Sequence, residues 1–160
     1  MTIKNLVLAG AVSAAMVLPL VAAEVESASD AGAIIESMRP EARAAVYHAG
    51  KLQTFARNPE LNWESHALEM TALRHEVNDM GAKVARLEAV RSTLPAEQQA
   101  VIDRIAATVQ VLADDTENAI AFGNTHQDEL WRTTYRKDTD NLYSAARTLA
   151  RSVKSAATAA

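Results

Sequence analysis

The sequence predicts an all-α fold: an antiparallel up-down-up-down helical bundle with three long helices and a shorter, proline-broken first helix. Three observations predict it. Glycine and proline are scarce, at five and four of 160 residues, and no alternating apolar and polar run of strand length occurs. Apolar residues recur in heptads over long stretches. The turns between those stretches are short, which makes successive helices antiparallel neighbours.

The first 23 residues stand apart from the bundle. "MTIK" gives a short basic start, and "NLVLAGAVSAAMVLPLVAA" follows as an apolar run ending in small residues. Val21 and Ala23 occupy the −3 and −1 positions of a cleavage site before Glu24, the pattern of a secretory signal peptide. An uncleaved anchor is the alternative, since about 17 apolar residues can span a bilayer. Pro19 and the small residues at the boundary favour cleavage. Residues 24–29 read as a flexible lead-in, 30–155 as the bundle and 156–160 as a frayed tail.

A first helical region covers about 30–57. Pro40 splits it, because an internal proline removes a hydrogen bond and clashes with the preceding turn. "NPEL" at 58–61 is a turn, and Asn62 can cap the next helix. That helix runs to about 91. Trp63, Met70, Val77 and Val84 form one heptad position, and His66, Leu73, Met80 and Leu87 the other. Pro95 suits the start of a third helix over about 95–122, with a seam of Ile102, Ile105, Val109, Leu112, Thr116 and Ala119. Gly123 ends it. Thr125 can cap a fourth helix, with Asp128 and Glu129 complementing its positive end. Its seam reads Trp131, Tyr135, Leu142, Ala145, Leu149 and Ser152, interrupted at Asp138. Residues 97–129 carry seven acids and one base, and residues 130–160 six bases and two acids. Attraction between the third and fourth helices is therefore expected.

Composition excludes several functions. The chain has no cysteine, so disulfides, thiolate metal sites, a thiol nucleophile and covalently attached c-type haem are all ruled out. Cleavage removes Lys4 and leaves the remainder one unit more negative than the formal −4 of the whole chain, which does not suggest a nucleic-acid protein. No serine has a base arranged beside it by motif, Asp114 and Asp115 lie outward, and no glycine loop cradles phosphate. We therefore expect no catalytic residues and no cofactor. The arginines at 132, 136, 147 and 151 form two outward i,i+4 pairs, read as a solvated face.

Metal or haem ligation is the sharper alternative. His66 and His75 are nine residues apart on one helix and point in opposite directions, which leaves His75 solvated. Met70 and Met80 fall on the seam as core filler. His48, folded back about the 58–61 turn, comes opposite residue 71, so His48, His66 and Met70 are the candidate ligand set. The Glu-x-x-His pairs of di-iron bundles and HExxH are absent.

One asymmetry stands out. The 58–61 and 123–126 turns fall at the same end, where Phe55, Trp63, His66, Phe122, His126, Trp131 and Tyr135 gather. They form either an aromatic plug or a small apolar pocket. Trp63 and Trp131 are expected in contact, or bridged by Phe55 or Phe122.

"WESHA" at 63–67, "VNDMG" at 77–81, "QQAVIDR" at 98–104, "LWRTTY" at 130–135 and "NLY" at 141–143 together resemble a group of uncharacterised exported bacterial helical proteins, over about residues 61–145. The resemblance implies export and an all-helical fold and assigns no functional residue. The expectation is a periplasmic or secreted bundle with a structural or protein-interaction role among envelope proteins. It would have no nucleic-acid partner and no stable membrane anchor after cleavage. Haem or metal binding, or an apolar ligand at the aromatic end, is the alternative.

Overall fold

The computed structural model describes residues 29–159. The expected signal peptide, its cleavage site and most of the lead-in lie outside them. All described regular structure is helical. α1 covers residues 29–37, α2 Arg39–Phe55, α3 Trp63–Val90, α4 Ala96–Thr125 and α5 Thr133–Ala159, with short 3₁₀ turns at Arg91–Thr93 and Gln127–Glu129.

α1 and α2 are one helical region broken where Pro40 requires. Met38 forms the turn, and Pro40 sits in the first turn of α2, where its missing N–H costs nothing. Asn62 caps α3 by accepting from the Ser65 N–H at 3.2 Å. Pro95 stands just ahead of α4 as its cap residue.

Cross-helix contacts fix the directions. Glu41 pairs with Lys83 and His48 with Glu69 between α2 and α3. Arg91 bonds Asp103, while Met70 meets Gly123, between the α3 and α4 arms. Phe122 stacks on Tyr135 between α4 and α5. Gln53 bonds Asp140, and Gly50 lies beside Tyr143, between α2 and α5. In the pairs given twice, one number falls as the other rises, so those neighbours are antiparallel, and α5 returns to close the ring on α2.

The core follows the heptads of α3 and α4. Met70, Leu73, Val77, Met80 and Leu87 are buried, as are Ile102, Ile105, Val109, Leu112, Thr116 and Ala119. Val84 is partly buried against them. α2 contributes Ala42, Ala45 and Ala49, small residues that let it approach closely, and Leu52.

Three expectations need correction. Gly123 does not end its helix. It is buried within α4, and a Cβ there would lie 2.9 Å from Met70 Cε, so the glycine makes room for a neighbour. Thr125 caps nothing. It is the last residue of α4, its hydroxyl bonds the Ala121 carbonyl at 3.0 Å, and α5 starts at Thr133. The α5 seam is Tyr135, Thr139, Leu142, Ala146, Leu149 and Val153. Ala145 and Ser152 are off it because the seam runs from Tyr135 in steps of four and then three, and Trp131 is off it because Leu130 is the residue buried ahead of α5. The polar interruption is Thr139, whose hydroxyl is satisfied by the Arg136 carbonyl at 2.9 Å. α5 is helical through Ala159, with Ala156 and Ala157 partly buried against the core.

The expected attraction between α4 and α5 is not expressed in ion pairs among the described residues. The pairs instead join α2 to α3, α3 to α4 and α2 to α5. Where α4 and α5 bring charge together, it is of one sign. Half-buried Asp115 has its carboxyl raised above the usual range, first by burial and then by Asp138 and Asp114.

Candidate functional site

The aromatic end is assembled as the turns predict. A line of rings crosses the bundle from α2 to the end of α4. Phe55 meets His66 edge-on at 5.7 Å between centroids, and His66 meets Tyr135 edge-on at 5.4 Å. Tyr135 stacks on Phe122 at 5.6 Å, and Phe122 stacks on His126 at 4.4 Å. These spacings lie in or at the edge of the favourable range for aromatic pairs, about 4.5–7 Å. The rings plug the end of the core.

His66 and Tyr135 are fully buried and give the plug its polar centre. His66 Nδ1 lies 3.1 Å from the Tyr135 hydroxyl, which lies 4.0 Å from Met70 Sδ. Burial pushes the His66 imidazole down to about 4, so it is neutral at physiological pH. Burial pushes the Tyr135 phenol up, with the Asp138 charge adding to the effect.

Trp63 and Trp131 lie outside the plug. They are 39% and 48% exposed and line one open cleft of about 230 Å³, whose lining also takes in apolar Leu130 and polar His66, Asn62, Gln127 and Asp128. The Trp131 Nε1–H donates to the Asp128 carbonyl at 3.2 Å, which orients the indole. The two tryptophans share an end as the topology requires. Among the described residues, however, they form no ring pair, and Phe55 and Phe122 do not bridge them. Those phenylalanines are engaged one layer down, with His66 and Tyr135. The end is therefore a closed plug beneath a small cleft.

The candidate ligand set does not converge. His66 and Met70 both face the Tyr135 hydroxyl. His48 turns to Glu69, donating from Nδ1 to Oε2 at 2.7 Å, and Lys51 donates to the other carboxylate oxygen. Among the described residues no three histidines, aspartates or glutamates come together as a metal site. His75 is exposed, 3.6 Å from Asp79. His126, also exposed, bonds the Thr125 hydroxyl at 2.7 Å.

Glu69 is the residue the sequence concealed. It is 4% exposed at a position flanking the α3 seam. Burial would raise its carboxyl, but hydrogen bonds from His48 and Lys51 outweigh that and hold it below the usual range. The available signal was the pair His48 and Lys51, one turn apart on α2 and facing the same stretch of α3.

No protein family, curated protein or solved structure matches this chain.

Proposed function

We propose that this protein is an exported, non-catalytic binding bundle of the bacterial envelope, periplasmic or secreted, whose aromatic end grips one apolar side chain of a partner protein. The observation that carries the reading is the pair of half-exposed tryptophans flanking a single open cleft above a sealed core. Tryptophan is enriched among the residues that dominate protein–protein binding energy. The cleft, at about 230 Å³, is smaller than the roughly 300–1,000 Å³ of sites that enclose small molecules. A single protruding side chain suits it better than a whole ligand.

The non-catalytic part of the reading rests on the sequence. No serine of the chain has a base arranged beside it by motif, and no glycine-rich loop is placed to cradle phosphate. Export rests on the signal-like residues 1–23 and on the resemblance to exported helical proteins. Amino-terminal sequencing of the protein from an envelope fraction should begin at Glu24, and a retained Met1 contradicts cleavage.

Both tryptophans of the chain line the cleft, so intrinsic fluorescence reports on it directly. Short glycine-serine peptides carrying one phenylalanine or leucine should shift the emission saturably, while the same peptides without that residue should not. If free indole binds and the peptides do not, the cleft is a small-ligand pocket. If neither binds, the interaction reading fails.

A further inference from the structure

The opposite end of the bundle carries a concentration of positive charge that the fold leaves largely uncompensated. The seam between α2 and α5 begins, at the aromatic end, with matched charges: Asp140 accepts from Gln53 and from Arg57, each at 2.8 Å. Further along, the seam opens into a groove of about 340 Å³. Arg39 and Arg43 line its α2 side, and Arg147, Arg151 and Lys154 its α5 side, over an apolar floor that includes Val46 and Ala150. Among the described residues, Arg39 has an acidic partner in Glu36, and none of the other four is in an ion pair. The nearby acid on α2, Glu41, is turned away to Lys83 on α3.

This arrangement costs the free protein stability. Arg39 and Arg43 are like charges at i,i+4, as are Arg147 and Arg151, and such pairs disfavour a helix. Bringing both pairs to one groove concentrates a positive potential on a chain of negative net charge. Two tyrosines adjoin the cations. Tyr47, 60% exposed, stands one turn beyond Arg43 on α2. The Arg147 guanidinium lies 5.6 Å from the centre of the Tyr143 ring. Arginine, lysine and tyrosine together are the composition of a protein surface that meets lipid headgroups.

We propose that the α2–α5 groove docks on an anionic phospholipid surface, with headgroup phosphates held between Arg39 and Arg43 on one side and Arg147, Arg151 and Lys154 on the other. Guanidinium groups suit phosphate because they bind it bidentately. The side chains support lipid as the occupant: the cations lie together at one end of the molecule, with exposed Tyr47 beside them, so that they can meet a flat layer of phosphates at once while the tyrosine sits at headgroup level. A nucleic acid fits less well, because the acid-rich α4 would repel any polyanion that wrapped around the bundle. The contact is a reversible surface one, since no helix among the described residues is long and apolar enough to cross a membrane. It is independent of the tryptophan cleft at the other end.

The test is flotation of the chain starting at Glu24 with lipid vesicles. That chain keeps the whole described core, which lies within residues 29–159. It should bind vesicles of phosphatidylglycerol mixed with phosphatidylcholine, should not bind phosphatidylcholine alone, and should be released by salt. Each groove cation removed should weaken binding about fivefold, so the double reversal Arg147→Glu and Arg151→Glu should abolish it. Arg74→Glu with Arg86→Glu, the same charge change on exposed α3 positions, should bind far better than the groove reversal. Thermal melts establish that both variants fold. Equal binding to both vesicle types, no binding to either, or equal binding by the two double variants overturns the proposal. So does inorganic phosphate that stabilises the protein while anionic vesicles do not bind, or a single-stranded oligonucleotide that binds more tightly than the vesicles.

Discussion

His66 on α3 and Tyr135 on α5 meet across the closed end of the bundle, Nδ1 to hydroxyl at 3.1 Å, with both side chains fully buried. The pair makes folding sensitive to pH. The imidazole titrates at about 4 in the folded protein and near 6.5 when unfolded. Below pH 6.5 the unfolded chain takes up the proton first. Stability is therefore fully present above about pH 6.5 and is lost as pH falls towards 4. The slope is at most about 1.4 kcal/mol per pH unit, for a total of about 3 kcal/mol. Urea unfolding at a series of pH values measures it. His66→Phe should flatten the profile over this window.

The same pair predicts the effect of removing a single oxygen. Tyr135→Phe keeps the ring stacked on Phe122 but strands the buried His66 Nδ1, which should cost about 1–3 kcal/mol. Tyr135→Ala should cost about 3–5 kcal/mol, the range for deleting a buried ring. Trp131→Ala should cost clearly less than Tyr135→Ala, because half of the indole is already in solvent. Denaturant midpoints rank the three.

Glu69 predicts an asymmetry. Lys51→Met leaves a buried carboxylate with His48 as its one remaining hydrogen-bond partner, whereas Glu69→Met leaves Lys51 and His48, both less buried, free to turn to water. Lys51→Met should lower the melting temperature more, and Glu69→Met should change stability by about 1 kcal/mol or less. The depressed Glu69 carboxyl contributes stability above its ordinary titration range and loses it as pH falls below that range. This window lies below the one set by His66. Equal effects of the two substitutions would show that Glu69 is not desolvated.

The α3 register is tested by Leu73 and Leu87, both fully buried. Alanine at either should cost about 2–5 kcal/mol. His75→Ala, on the exposed face, should change stability by less than about 0.5 kcal/mol. Thermal melts in the reverse order would contradict the register.

These residues also show what was legible in the sequence. The α3 and α4 seams could be read because each is a long uninterrupted heptad, and periodicity identifies a buried face without knowledge of the partner. The α5 seam is ambiguous in the sequence, because steps of three then four and of four then three both lead from Tyr135 to Leu142 and Leu149. Thr125 followed by Asp128 and Glu129 imitates a helix cap, and Trp131 looks like an anchor by size alone. Packing against the other helices selects Thr139, Ala146 and Val153 over Asp138, Ala145 and Ser152. Gly123 looks like a terminator until Met70 of another helix is placed against it. Glu69 is concealed for the same reason, since a carboxylate beside a seam reads as solvated unless His48 and Lys51 on α2 are known to reach it. The aromatic end was legible as a cluster because the turns place it. Its division into plug and cleft was not, because that depends on which rings meet.

The central claim, that the tryptophan cleft receives one apolar side chain from a partner, is tested most directly by the indole N–H signals in a ¹H–¹⁵N spectrum. The chain contributes two, from Trp63 and Trp131. A glycine-serine peptide with a single phenylalanine should shift both signals with one common saturation curve, leaving backbone signals at Arg147 and Arg151 unmoved. Indole signals that stay fixed, or that move together with signals along the whole bundle, would contradict it.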